Sequence, residues 1–126
     1  MDALKKVLEL ELDAEQFGFR WDNTTQIMEQ IETECSEISE HLNHDKADYN
    51  QDALQEEIGD LLHAAFSLCV YCKFNPKETL TKALDKFERR MNAVKSIAYS
   101  EGLDNVDGLA FDKLMMFWAK AKEQVG

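Results

Sequence analysis

The stretch QEEIGDLLHAAFSLCV, Gln55 to Val70, decides how the rest of the chain is read. Its first half places Glu57 and Asp60 three residues apart, and its second half is apolar except for His63 and Ser67. Leu54, Ile58, Leu61, Leu62, Ala65, Phe66, Leu68, Cys69 and Val70 recur at helical spacing. That spacing predicts a long helix from about Lys46 or Asp48 to Phe74, broken by Asn75-Pro76. Between Leu61 and Val70 the apolar residues cover more than one face, so this helix needs partners on several sides. Four helices of this length do not easily supply them within one subunit. The expectation is a homodimer or homotetramer with this helix in the interface. Gly59, in mid-helix, costs about 1 kcal/mol against alanine and so calls for a close approach by a neighbouring helix or a ligand.

Outward from this stretch the periodicity stays helical. Leu4, Val7, Leu8 and Leu12 suggest a short first helix, followed by an irregular segment from Phe17 to Asn23. Asn23, Thr24 or Thr25 can cap the next helix, whose stripe is Ile27, Ile31, Cys35, Ile38 and Leu42, ending near Asn43 to Asp45. Downstream, Asn75 and Pro76 open a helix carrying Leu80, Ala83, Leu84, Phe87, Met91, Val94 and Ile97, with Glu78 placed as in a capping box. Glu101-Gly102 to Gly108 reads as a loop, and a last helix holds Leu109, Leu114, Phe117, Trp118, Ala121 and Val125. One proline and five glycines in 126 residues suit long helices and not a sandwich of short strands. The fold expected is all-α, a four-helix-type bundle in one domain over residues 1–126, completed by homo-oligomerisation.

The net charge is −11, from 14 basic against 25 acidic residues. A field of that sign repels a phosphate backbone, which argues against nucleic acid as a partner. The longest nearly apolar run, Leu61 to Cys72, is too short to cross a bilayer, so no membrane role is expected. Three cysteines and the absence of a secretory leader point to a cytoplasmic chain with reduced thiols. Cys69 and Cys72 form a C-x-x-C inside an apolar helix, where buried small hydrophobes are the natural reading.

Glu34 and Glu37 are three apart on one helix, and Glu57 and Asp60 three apart on the next. Each pair shares a face. If the helices pack antiparallel the four carboxylates converge, and their repulsion is relieved by a hard cation such as Mg²⁺. In so acidic a chain a single E-x-x-E is cheap, and a solvated face would produce it too. Glu57 and Asp60 gain weight because they flank Gly59 and lead directly into the buried run. An acidic protein that handles phosphates does so through bound metal.

Read in order, these segments resemble the MazG-like, all-α nucleoside triphosphate pyrophosphohydrolases. TECSE (Thr33 to Glu37) followed after nineteen residues by the Glu57 of QEEIGDLL (Gln55 to Leu62) resembles that family's E-x-x-E and E-x-x-D signature. DKFERR (Asp85 to Arg90), FWAKAKEQ (Phe117 to Gln124) and, more loosely, RWDNTTQ (Arg20 to Gln26) resemble its other motifs. The resemblance implies that Glu34, Glu37, Glu57 and Asp60 bind Mg²⁺. It implies that the substrate is a nucleoside triphosphate cut at the α–β phosphoanhydride, giving a monophosphate and pyrophosphate. The compact single domain inclines the reading to deoxynucleotides and to house-cleaning of the nucleotide pool. Lys86 and Arg90, four apart, fit a solvated basic face by spacing, but the resemblance makes them a phosphate clamp. Trp118 is either a core anchor or a nucleotide contact, with Lys122 on a phosphate. Trp21 stacks on a base or anchors the N-terminal segment, and Asn92 is a lesser sugar or base contact.

Two other classes compete. Asp60 and His63 have the carboxylate-x-x-His spacing of di-iron bundles, although the sequence lacks a good second copy. A helical interaction module, with the acids as plain surface, is the other. His41 and His44, three apart near a helix end, read as solvated.

Overall fold

A computed structural model describes residues 2–43 and 50–126. Its elements are α1 (Ala3–Phe17), α2 (Thr24–Leu42), α3 (Gln51–Tyr71), α4 (Pro76–Ser100) and α5 (Phe111–Val125). The all-α expectation therefore holds: among the described residues every regular element is a helix. Contacts gather into two compact units, Met1–Thr79 and Leu80–Gly126, with α4 contributing to both.

Local chemistry sets the helix ends. Asp2 caps α1 by accepting from the Leu4 and Lys5 backbone N–H groups at 3.1 and 3.2 Å. The Lys5 bond foremost holds the Asp2 carboxyl below the usual carboxylate range. α1 takes in Phe17, where the irregular segment was expected to begin, and stops where Gly18 turns left-handed at φ 97°. The Gly18 and Phe19 N–H groups then bond back to Glu15 and Ala14, a double bond pattern that absorbs the last carbonyls. Asn23 caps α2 through Gln26 N–H, and Asn75 caps α4 through Glu78 N–H at 3.1 Å with Pro76 in the first helical position.

α3 begins at Gln51, because the Asn50 side chain captures Ala53 N–H at 3.1 Å; the expected starts, Lys46 and Asp48, lie outside the described residues. It ends at Tyr71, three residues before the expected Phe74. Lys73 adopts φ 70°, and Phe74 N–H returns to the Cys69 carbonyl. Lysine in this left-handed position is strained by its Cβ, whereas Gly102 closes α4 in the same geometry without that penalty. α5 begins at Phe111 after an extended Ala110, so Leu109 belongs to the preceding loop.

In the first unit α3 packs against both α2 and α1. Two contacts fix α2 and α3 as antiparallel: the late residue His41 meets the early Glu57, and the Tyr71 hydroxyl donates to the Asp22 carbonyl at 3.2 Å. Ile27, Ala64, Ser67 and Val70 are buried in this unit. In the second unit, Ala93, Val94 and Ile97 of α4 pack with Phe117 and Ala121 of α5, and Leu103, Val106 and Leu109 of the connecting loop close over them. Gly59 meets no neighbouring helix. A Cβ built there would find no atom within 4 Å, so the close approach expected from sequence is not made by the described chain.

Candidate active site

The antiparallel pairing of α2 with α3 brings the two acidic pairs together. Glu34 is 8 % exposed; its Oε1 accepts from Gln30 Nε2 at 2.7 Å, and its Oε2 is buried with no hydrogen-bond partner. Glu57 is half-buried. Its Oε2 lies 2.8 Å from His41 Nδ1, a contact without the alignment of a hydrogen bond. Glu37 and Asp60 face solvent at the rim. The Glu37 carboxyl is held above the usual carboxylate range, chiefly by the charge of Glu34, then by partial burial and by the charges of Glu57 and Asp60. One carboxyl thus feels the other three.

Burying carboxylate oxygens without donors is costly, and a cation removes the cost. Among the described residues no three His, Cys, Asp or Glu side chains are placed to hold a metal ion together. Mg²⁺ does not require three, since it keeps several waters and takes only one or two carboxylates beside substrate phosphates. The unpartnered Glu34 oxygen, the Glu57 oxygen met only by His41 and the repulsion on Glu37 suit a hard cation, which these four carboxylates could hold.

A large cavity, about 860 Å³, lies in the same unit between α1, the segment before α2 and the second half of α3. Leu10, Glu11, Trp21, Ser67, Val70 and Tyr71 are among its walls. Glu11 Oε1 accepts from Ser67 Oγ at 2.6 Å and lies 2.7 Å from His63 Nε2. Trp21 is therefore a cavity wall, half-buried, while its neighbour Phe19 is 82 % exposed.

The remaining candidates belong to the second unit. The Arg90 guanidinium sits over the Trp118 ring at 5.6 Å, and its Nε donates to the Gly126 carbonyl at 3.1 Å. Phe87 tilts against the same indole, with ring centroids 5.9 Å apart. Trp118 packs on the Phe117 cluster, the core-anchor alternative. Lys86, Asn92 and Lys122 are exposed on α4 and α5.

Three residues have roles that spacing did not reveal. His41 is not simply solvated: it is half-buried against Glu57, a helix turn beyond Glu37. His44 lies outside the described residues. Gln30, one turn before Glu34, orients that carboxylate, and only its i−4 position could have signalled this. Glu11 lies on a helix with no motif, and its partners are 52 and 56 residues away. His63 Nε2 is engaged by Glu11, which draws it away from a metal-ligand pair with Asp60. Cys72 is exposed and Cys69 half-buried, its Sγ on Thr79 Oγ1 and the Phe74 carbonyl, so the C-x-x-C is not the buried apolar pair expected.

A Thermotoga maritima protein named nucleoside triphosphate pyrophosphohydrolase/pyrophosphatase MazG is 31 % identical over 120 residues, covering 95 % of this chain and 44 % of the relative. A nucleoside triphosphate pyrophosphohydrolase of Escherichia coli K12 is 27 % identical over 124 residues, 98 % of this chain and 46 % of the relative. The uncharacterized protein YabN of Bacillus subtilis is 34 % identical over 70 residues, 56 % of this chain and 14 % of the relative. The chain thus spans less than half the length of these relatives. The family model for the MazG nucleotide pyrophosphohydrolase domain matches residues 22–95, which include all four acidic residues, and the chain belongs to that family.

Proposed function

We propose that this chain hydrolyses nucleoside triphosphates, with deoxynucleotides as the inclined substrates, at the α–β phosphoanhydride in a Mg²⁺-dependent reaction. The observation that carries the reading is the convergence of Glu34, Glu37, Glu57 and Asp60 around two buried carboxylate oxygens that accept no hydrogen bond. When bound, the cation supplies Lewis-acid chemistry, neutralising phosphate charge and acidifying water. The chain's own residues do the rest. Gln30 fixes Glu34, and the packing of His41 restricts Glu57, so the inner carboxylates are held before substrate arrives. A rim carboxylate accepts the proton of the attacking water as its oxygen bonds to the α-phosphorus. The bond from that phosphorus to the bridging oxygen breaks, and pyrophosphate leaves with the electron pair. The family match and the names of the relatives support this activity, and removal of surplus or non-standard nucleotides is the cellular role it would serve. Ile58 and Leu62, both exposed on α3, support a homo-oligomer in which a second copy covers that face.

The test is a panel of ribo- and deoxynucleoside triphosphates with Mg²⁺ or with chelator, read by pyrophosphate detection and chromatography of the nucleotide product. Pyrophosphate and monophosphate, in Mg²⁺ only, are expected. Orthophosphate as the product, or no release above the blank, sinks the reading.

A further inference from the structure

The cavity beside α1 has an unusual wall. It is apolar over most of its surface and bounded by the aromatic rings of Trp21 and Tyr71; its charged residues are Glu11, Glu15, Arg20 and Lys73, with Glu15 paired to Lys73 and Glu11 pinned by hydrogen bonds. Its volume of about 860 Å³ lies within the range of small-molecule sites. Glu11 Oε1 is occupied by Ser67 and His63, and those bonds pin the side chain across α1 and α3. Oε2 has no hydrogen-bond partner among the described residues and is not a sealed atom. A carboxylate oxygen only accepts, so it attracts an N–H edge and repels carbonyl or phosphate oxygens.

Position links this wall to the acidic cluster. Glu57, Asp60, Ser67 and Tyr71 fall on one stripe of α3 at helical spacing. Ser67 is seven residues beyond Asp60, about 10 Å along the helix axis. A nucleotide whose phosphates lie at the carboxylates would reach this cavity with its uncharged, planar end.

We infer that the cavity is a nucleobase site in which Glu11, held by Ser67 and His63, selects bases that present an exocyclic amino group. This rests on the nucleotide-hydrolase reading above and sharpens its substrate class. Cytosine, adenine and guanine each offer an amino N–H to Oε2. Uracil and thymine carry a carbonyl oxygen in place of the amino group of cytosine and keep only the ring N3–H between two oxygens, so the position that faces the carboxylate loses its bond and adds repulsion. Glu11 touches the base and not the reacting phosphate, so it is a specificity residue.

The experiment compares the intact protein with Glu11→Gln, whose side chain has nearly the same shape but can donate as well as accept. In wild type, kcat/KM for pyrophosphate release from dCTP, dATP and dGTP should exceed that for dUTP and dTTP by about tenfold to a hundredfold, the ratio of one charge-assisted hydrogen bond. In Glu11→Gln the ratio should fall to near parity through KM. In parallel, metal-free calorimetry with dCMP and dUMP reads base binding without hydrolysis, and the same order should appear and be lost in the variant. Circular dichroism checks that the variant folds; if it does not, the wild-type dCMP to dUMP ratio decides. Equal affinity for dCMP and dUMP, a preference that survives Glu11→Gln, or no monophosphate binding because another copy fills the cavity, each overturns the inference. Selective dCMP binding without pyrophosphate release would leave the base site standing and remove the hydrolase reading, whereas release without base discrimination would do the reverse.

Discussion

The two compact units differ in what they bury. In the unit Leu80–Gly126, Phe117 and Ala121 are sealed against Ala93, Val94 and Ile97, and aliphatic loop residues complete an apolar core. In the unit Met1–Thr79 the buried set includes Glu34 and Ser67, two buried carboxylate oxygens accept no hydrogen bond, and a large cavity lies between α1 and part of α3. Apolar close packing stabilises, while unpaired buried charge and open space do not. The second unit is organised for stability. The first carries an electrostatic cost that a bound cation would offset, as expected of a site shaped for chemistry.

Substitutions can break that contrast, beginning with the largest expected effect. Asp60→Asn or Glu57→Gln should lower pyrophosphate release by about a thousandfold, as loss of several kcal/mol of charge stabilisation requires, with helical circular dichroism unchanged. Retained turnover would remove those residues from the site. Phe117→Ala should do the opposite, destabilising by about 3–5 kcal/mol in chemical denaturation. A cost below about 1 kcal/mol would mean that the second unit is not the well-packed one.

Two helix substitutions sharpen the comparison further. Lys73→Gly should stabilise by about 1 kcal/mol by relieving the left-handed cap. Gly59→Ala should add about 1 kcal/mol in thermal melts of an isolated chain, since nothing lies within 4 Å of its Cβ. A loss of stability there would instead reveal another copy packed on that face. The smallest effect is electrostatic. Because the folded Glu37 carboxyl is raised, its contribution is fully present below the ordinary carboxylate range and is lost as pH rises through the raised value. Metal-free Glu37→Gln should therefore melt higher than wild type at neutral pH, and the gap should close on acidification or on adding Mg²⁺ to wild type. A gap that persists in acid would assign it to packing.

Much of this was legible in the sequence, for reasons of distance along the chain. Helical spacing, asparagine caps and the Asn75-Pro76 break are local signals, so the helices could be placed within a few residues. The early end of α3 came from a backbone turn without a local signature, the left-handed Lys73 with the Phe74 N–H returning to the Cys69 carbonyl. The acidic pairs were readable because each lies within one helical turn, and an antiparallel hairpin was enough to join them. The support around them was less readable. The role of His41 depends on the register of α2 against α3, and that of Glu11 on the docking of α1, neither of which has a periodic signature.

The tether at Glu11 also bears on the order of assembly. α1 carries no fully buried residue and is fastened to its neighbours by the Glu11 contacts and by ion pairs of Lys73 with Glu15 and Lys77 with Asp2, at 3.8 and 3.7 Å. Those contacts join residues far apart in sequence, so their closure comes late in folding, after the α2–α3 hairpin has formed. The same helix then opens first, in a local unfolding far less costly than the global transition. In native-state hydrogen exchange its amides would be the earliest in their unit to exchange, and a base seated against Glu11 would slow them.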